Sequence, residues 1–111
     1  MAHAGFRVPR EKVTHYLLNL RHPEGGSKAR LLQRLGFSPK APEVLERALL
    51  AHAEEAEEVE RRPGLWGEGL ILVLRGPLRG PKGSGLFQSV WYLEKGTDAF
   101  RLVTVYPWRK G

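Results

Sequence analysis

The spacing of the apolar residues changes once along this chain, at Pro63-Gly64, and this change constrains the fold more than any other feature. Before it, apolar residues recur three and four positions apart, as on one face of an amphipathic helix. After it, they form a continuous run or alternate with polar residues, as in β-strands. Helices followed by strands predict an α+β domain, with N-terminal helices packed on one face of an antiparallel sheet of about four strands. We expect the helical part at about residues 9–62 and the sheet at about residues 66–107.

The first two predicted helices flank a short loop. The first carries Val13 on its apolar face and ends at His22-Pro23, because the residue before a proline is disfavoured in the α conformation. The second covers residues 28–35, with Ser27 as its N-cap and Gly36 just past its C-terminus.

A third helix is predicted from about residue 42 to residue 62. Its apolar stripe runs through His52 and on to Val59, while a run of glutamates lies on its outer face. Pro63-Gly64 ends it.

Three long strands are predicted in the second part. The continuous apolar run 70–74 has the length of a buried strand, and 86–94 and 101–106 are the other two. The segment 76–85 is rich in Gly and Pro, which predicts turns and confines any strand there to an edge of the sheet. Strict alternation along the last strand gives one face to Leu102, Thr104 and Tyr106.

The composition indicates one domain, residues 1–111. The absence of cysteine excludes a disulfide scaffold, a thiolate metal site and a thiol nucleophile. The chain has no run of about 18 apolar residues, so no membrane span is predicted. The N-terminus has no recognisable signal peptide. We therefore expect a cytoplasmic protein with no membrane partner.

Charge is distributed unevenly along the chain. Residues 1–40 carry a net charge of +6, residues 41–63 carry −4 and residues 64–111 carry +4. Two basic regions separated by an acidic one favour an anionic partner, nucleic acid first. Basic proteins that bind no nucleic acid are also common, so the charge by itself leaves both interpretations open.

The loop between the first two helices holds the first candidate site. A histidine can titrate near neutrality, so His22 suits a general acid or base, and Lys28 supplies a cation for a phosphoryl group. Ser27 and the backbone of Gly25-Gly26 lie at a helix start, where N–H groups bind anions. The alternative is an ordinary helix–loop–helix turn, with glycines for the bend and a serine cap.

The last strand holds the second candidate site. Thr104 and Tyr106 share a face near its end, where hydroxyl groups could donate to a phosphate or a developing oxyanion. Both are also common strand residues, which is the structural alternative. Candidates for binding the rest of a nucleic acid are three arginines and a tryptophan that could stack on a base: Arg30, Arg34, Arg101 and Trp91.

Two further patterns have structural explanations. His52 lies on the apolar stripe of the third helix, which predicts a core histidine rather than a catalyst. No His or carboxylate pair has the spacing of metal ligands, so no metal site and no cofactor are predicted.

Several short motifs, in a fixed order, are similar to those of a small bacterial domain family of unknown function, whose members stand alone or at the C-termini of filamentous-haemagglutinin-like polymorphic toxins. The resemblance covers about residues 12–107. The segments that carry it are Tyr16-Leu17-Leu18-Asn19, His22-Pro23, Ser27-Lys28-Ala29, Leu35-Gly36-Phe37, Gly76-Pro77-Leu78, Gly80-Pro81-Lys82-Gly83, Val90-Trp91 and residues 101–107.

That family in turn resembles the barnase–EndoU–colicin–RelE group of ribonuclease toxins, which place two helices before a four-stranded antiparallel sheet. The resemblance implies active residues from a His- and Lys-bearing helical region and from Ser, Thr or Tyr on the last strand. Carried over to this chain, these are His22, Lys28, Thr104 and Tyr106. The chain has no second strong histidine candidate to complete an acid–base pair.

The resulting hypothesis is a small nuclease that prefers RNA and cleaves it without a metal through the ribose 2′-OH. A DNA substrate lacks that nucleophile and would call for a metal-activated water, so a divalent metal would be a cofactor only in that case. The alternatives are a non-catalytic nucleic-acid-binding module and a toxin- or immunity-type protein-interaction partner.

Overall fold

The computed structural model describes residues 5–18 and 26–109, and after a short first strand its elements follow the predicted order of helices and then strands. They are β1 (Gly5–Arg7), α1 (Arg10–Lys12, continued by a π-helical turn Val13–Leu17), α2 (Gly26–Arg34), α3 (Pro42–Glu55), β2 (Glu57–Pro63), a 3-10 turn (Leu65–Gly67), β3 (Leu70–Gly80), β4 (Gly83–Leu93) and β5 (Ala99–Pro107). The predicted α+β class is confirmed, while the number and direction of the strands differ from the prediction.

The sheet has five strands in the order β1-β5-β4-β3-β2. Four of them form an antiparallel meander, as predicted, but β1 lies parallel to β5. Residues 5–7 pair with residues 99–101, which makes the sheet mixed rather than antiparallel. This pairing joins the two ends of the chain, and no local pattern in a three-residue strand could have predicted it.

The prediction of a helix over residues 42–62 is wrong in its last part. The helix ends at Glu55, Ala56 has an extended ψ of 154°, and Val59 lies in β2 instead of on a helix face. β2 pairs with the first half of β3, which gives the backbone groups of both strands their partners. Four glutamates at 54, 55, 57 and 58 would repel one another on a helix surface, so little opposes the change to a strand.

β3 is longer than the predicted run 70–74, because it passes through the Gly- and Pro-rich segment as far as Gly80. Pro77 is tolerated there because β2 pairs with β3 only as far as Arg75. Beyond that point β3 is an edge strand on this side, so the missing N–H of Pro77 leaves no ladder bond unmade. The segment was correctly expected to lie at an edge, but it was wrongly expected to be mainly turns.

The helices cover one face of the sheet, which we call the core face. α2 ends as predicted at Gly36, whose φ is 100°, and the Phe37 N–H donates to the Leu32 carbonyl in a Schellman arrangement. Apolar side chains from all three helical segments meet the sheet in one cluster, whose largest fully buried members are Leu17, Leu18, Leu32, Phe37, Leu45, Leu49, Leu78, Trp91 and Leu102.

A β-bulge in β5 changes which residues share a face. Thr104 pairs with Val90, but Leu102 pairs with Trp91, so Val103 is an extra residue. Leu102 therefore points into the core together with Val105. The prediction that Leu102 shares a face with Thr104 and Tyr106 is wrong, because strict alternation does not hold across a bulge.

Candidate functional site

Polar side chains of three neighbouring strands lie side by side on the face of the sheet opposite the core face, which we call the outer face. Arg75 of β3 is paired in register with Gln88 of β4, and Gln88 is paired with Tyr106 of β5. Thr104 lies two residues before Tyr106 on the same face. Residues in register on adjacent strands are about 5 Å apart, so these side chains form a continuous row.

Lys28 joins this row from α2. Ala29 and Leu32 are buried and fix the helix against the core. β1 pairs with β5 only up to Arg101, so within the described residues no strand borders β5 beyond that point on this side. Lys28 Nζ lies 3.1 Å from Thr104 Oγ1 and 5.9 Å from the centre of the Tyr106 ring.

The Lys28–Thr104 hydrogen bond has only one possible direction. A lysine ammonium has donors and no acceptor, so Thr104 Oγ1 must accept from it. The hydroxyl proton of Thr104 then points elsewhere, and it makes no hydrogen bond to any residue that the structure describes. The pair therefore presents a positive charge and a hydroxyl donor at the same place.

The same argument applies to Gln88. Arg75 donates from Nε and Nη2 to Gln88 Oε1, at 3.2 and 2.9 Å. Because a guanidinium has no acceptor, the oxygen of the amide must face Arg75, and its nitrogen must face Tyr106. Gln88 Nε2 donates to the Tyr106 hydroxyl oxygen, which leaves the tyrosine proton directed away from Gln88.

Trp108 holds the far end of the row. The Arg75 guanidinium carbon lies 3.8 Å from the centre of its ring, a cation–π contact. The Trp108 N–H donates to the Leu86 carbonyl, which ties this residue to β4 just beyond the end of β5. We use the name donor row for six residues, which are the members of this row and the side chains that contact it: Lys28, Thr104, Tyr106, Gln88, Arg75 and Trp108.

Three of the four residues predicted to be catalytic are thus neighbours, namely Lys28, Thr104 and Tyr106. His22 lies outside the described residues, and so does the side chain of Ser27, whose backbone is in the first turn of α2. Sequence reasoning missed Gln88, because no local pattern shows which residue of β5 faces it. Its register with Tyr106 was the missing information.

The other predicted binding residues have different positions. Arg30 and Arg34 are exposed on α2, beyond Lys28 on the same helix. Arg101 is five residues from Tyr106 on β5, about 15 Å along an extended strand. Trp91 is fully buried in the core, so the prediction that it contacts a substrate is wrong. Its position on the core face of β4 follows from alternation with Gln88.

His52 also lies in the core, as predicted. Its Nδ1 is 3.1 Å from the Pro77 carbonyl, so Nδ1 carries the proton, and Nε2 accepts from the Ser89 hydroxyl at 2.7 Å. Trp91 Nε1 donates to the same Ser89 oxygen at 2.8 Å. We call these three side chains the buried triad. Burial lowers the pKa of His52, and complete burial of Ser89 excludes it as a nucleophile for an external substrate.

A groove of about 910 Å³ opens on the core face, at the end of the sheet away from Lys28. Its lining is mainly apolar: Phe6, Leu50, Ala53, Ala56, Leu70, Leu72, Leu74, Leu93 and Phe100, with Glu54, Glu58 and Arg61 among the polar members. An apolar lining with two carboxylates does not suit a phosphodiester, so we place the candidate site at the donor row.

Two classes of feature are absent from residues 5–18 and 26–109. No three His, Asp or Glu side chains in these ranges are grouped as a metal site. None of the helices in the same ranges has the length and apolar character needed to cross a membrane.

Comparison with solved structures shows a protein with a similar fold. A chain of the contact-dependent growth inhibition toxin–immunity protein complex from Klebsiella pneumoniae 342 superposes with a TM-score of 0.71 and 18% sequence identity, covering 93% of each chain. At that identity the likeness concerns the fold alone. No curated protein sequence matches significantly. A family model does match, over residues 4–109, and by this match the protein belongs to the family described as Domain of unknown function (DUF6883).

Proposed function

We propose that this protein is a small endoribonuclease whose active site is built on the donor row. The supporting observation is the direction of two hydrogen bonds. Thr104 and Tyr106 both accept from neighbours, so each presents its own proton, and they do so beside the Lys28 ammonium. A cluster that offers a cation and several donors suits a phosphodiester, whose non-bridging oxygens only accept.

The proposed reaction needs no external nucleophile. The ribose 2′-oxygen attacks the adjacent phosphorus, the bond from phosphorus to the 5′-oxygen breaks, and the products are a 2′,3′-cyclic phosphate and a 5′-hydroxyl. Lys28 and Thr104 stabilise the extra negative charge on the phosphorane. His22, proposed from the sequence, takes the 2′-OH proton. The leaving 5′-oxygen takes a proton from Tyr106 or from His22.

RNA is the preferred substrate in this proposal because DNA lacks the 2′-OH. Cleavage of DNA would require an activated water, which in nucleases is most often bound to a metal. Arg30 and Arg34 on the exposed face of α2 would extend the contact along the phosphate backbone.

The test is a cleavage assay on RNA and on DNA of the same sequence, with Mg²⁺ and with excess chelator. We expect cleavage of RNA in both conditions, a cyclic phosphate product, and no cleavage of DNA. Cleavage only with Mg²⁺ would replace the mechanism by a metal-dependent one. No cleavage of either polymer would contradict the enzyme proposal.

A non-catalytic nucleic-acid-binding module would use the same basic surface. It predicts binding that weakens steeply with salt, without turnover. Substitution of His22 by Ala separates the two: it should abolish cleavage and barely change binding if this histidine is the base.

A toxin- or immunity-type role is a second candidate, favoured by the fold shared with a chain of a toxin–immunity complex. In that role the protein would bind a protein partner encoded beside it. The test is to express the chain alone and together with the product of the adjacent reading frame. Growth arrest relieved by that product, and a stable complex on gel filtration, would support the role.

A further inference from the structure

Gln88 and Arg75 have no role in the reaction as proposed so far, yet they determine where the proton of Tyr106 points. An amide side chain can turn end for end, and only one of its two orientations leaves the tyrosine proton available. With the nitrogen towards Tyr106, the hydroxyl oxygen accepts and its proton is free. With the oxygen towards Tyr106, the amide would accept that proton itself.

Arg75 fixes the first orientation. Its two hydrogen bonds to Gln88 Oε1 would be lost if the amide turned, since the guanidinium would then face a nitrogen donor. Arg75 is itself held by the cation–π contact with Trp108. The chain of contacts from Trp108 through Arg75 and Gln88 to Tyr106 is therefore fixed in direction, and it leaves the tyrosine hydroxyl as a donor directed away from Gln88.

We infer that Arg75 and Gln88 are positioning residues that make Tyr106 the general acid of the cleavage. The inference rests on the proposed endoribonuclease function and decides between Tyr106 and His22 as the acid. As the bond from the 2′-oxygen to phosphorus forms and the bond from phosphorus to the 5′-oxygen breaks, the 5′-oxygen takes the Tyr106 proton. Water then returns a proton to the phenolate.

Thr104 is the less suitable acid, although its proton is also available. An aliphatic alcohol gives up a proton less readily than a phenol, and Lys28 already occupies one side of its oxygen. Thr104 therefore serves as a hydrogen-bond donor to a non-bridging phosphate oxygen.

The decisive variant is Gln88→Glu. A carboxylate has nearly the size of the amide and keeps the partner of Arg75, but it can only accept from Tyr106. The hydrogen bond is reversed and the tyrosine proton is drawn out of the site. The assay compares an RNA oligonucleotide with one normal scissile phosphate and the same oligonucleotide with a bridging 5′-sulfur. The thiolate is a good leaving group and does not need a proton from the enzyme.

For Gln88→Glu we expect cleavage of the normal substrate to fall by about 100-fold or more, and cleavage of the 5′-sulfur substrate to fall far less. Arg75→Met, which releases the amide without adding charge, should give the same selectivity with a smaller loss. Arg79→Ala, an exposed arginine on the same strand that pairs with Glu55, is the matched control and should cleave both substrates as the wild type does.

The outcomes separate two failures. If Gln88→Glu slows both substrates by the same factor, Gln88 acts through charge or packing alone and the inference is overturned while the nuclease stands. If the wild type cleaves neither substrate, the proposed function falls and the inference falls with it. A loss that is selective for the normal 5′-oxygen substrate in both variants, with Arg79→Ala unaffected, is the result that supports it.

Discussion

Two polar networks lie on opposite faces of β4, and they differ in whether all their hydrogen-bonding groups have protein partners. On the core face, Ser89 satisfies both His52 and Trp91, and the remaining His52 nitrogen is satisfied by a backbone carbonyl. On the outer face, the neighbouring residue Gln88 belongs to the donor row, where hydroxyl protons remain without a described partner. The buried network is neutral and complete, whereas the open one is cationic and has donors in surplus.

The difference teaches how burial limits which polar groups can be left without a protein partner. A buried polar atom without a partner costs about 1–3 kcal/mol, so the core face tolerates only a closed arrangement. At the surface, water can satisfy the surplus donors until an anion replaces it. The buried contact between Ser89 and His52 is therefore explained by the structure of the core. The Lys28–Thr104 pair, on the outer face, is the one on which the nuclease proposal rests.

The largest expected effect is a loss of RNA cleavage on substitution in the donor row, which the buried triad should not share. Lys28→Met keeps the alkyl chain and removes the charge beside Thr104, so we expect RNA cleavage to fall by about 100- to 1,000-fold. The melting temperature should change little, because the Lys28 side chain is not part of the core. Lys40→Met, in the exposed loop before α3, is the matched control. Full activity of Lys28→Met would make the donor row as purely structural as the buried triad.

The second largest effect is a loss of folding stability on substitution in the buried triad. Ser89→Ala removes the shared partner of His52 and Trp91, which leaves two buried polar atoms unsatisfied. We expect the free energy of unfolding to fall by about 2–5 kcal/mol, measured by urea denaturation. Ser84→Ala, at an exposed position of the same strand, should cost far less. An equal, small loss in both variants would show that water replaces the hydroxyl and that the triad is not closed.

The smallest effect concerns pH. Burial lowers the pKa of His52 in the folded state below its ordinary value of 6.5, so the unfolded state binds the proton first as the pH falls. The stability that neutral His52 contributes should therefore be fully present above about pH 6.5, and it should decrease below that pH. Hydrogen bonds from Arg79 and Arg61 lower the pKa of Glu55 and Glu58 from 4.5, so their contribution is lost only at lower pH.

The measurement for this effect is the urea midpoint between pH 7.5 and 5. His52→Gln should flatten the decrease, whereas His15→Gln, at an exposed histidine, should leave it unchanged. A wild-type midpoint that does not move in this range would contradict the assignment of His52 as a neutral histidine in the folded state.

Part of the candidate site could be predicted from the sequence because its members belong to strong local patterns. A lysine at the start of a helix that ends at Gly36, and hydroxyl residues near the end of the last strand, are visible in the order of residues alone. Gln88 was missed, since an isolated glutamine in a strand carries no signal until its partner is known. The family resemblance predicted that residues of the helical region and of the last strand would act together, before any distance was known.

By itself, the sequence determined the order of the helices and the three long strands, the end of α2 and the core position of His52, because each depends on neighbours a few residues away. Only the tertiary structure decided that 57–63 is a strand, that β1 lies parallel to β5, and that a bulge separates Leu102 from the face of Thr104. These features depend on pairing between distant segments, whose backbone hydrogen bonds outweigh the local preferences of the residues that make them.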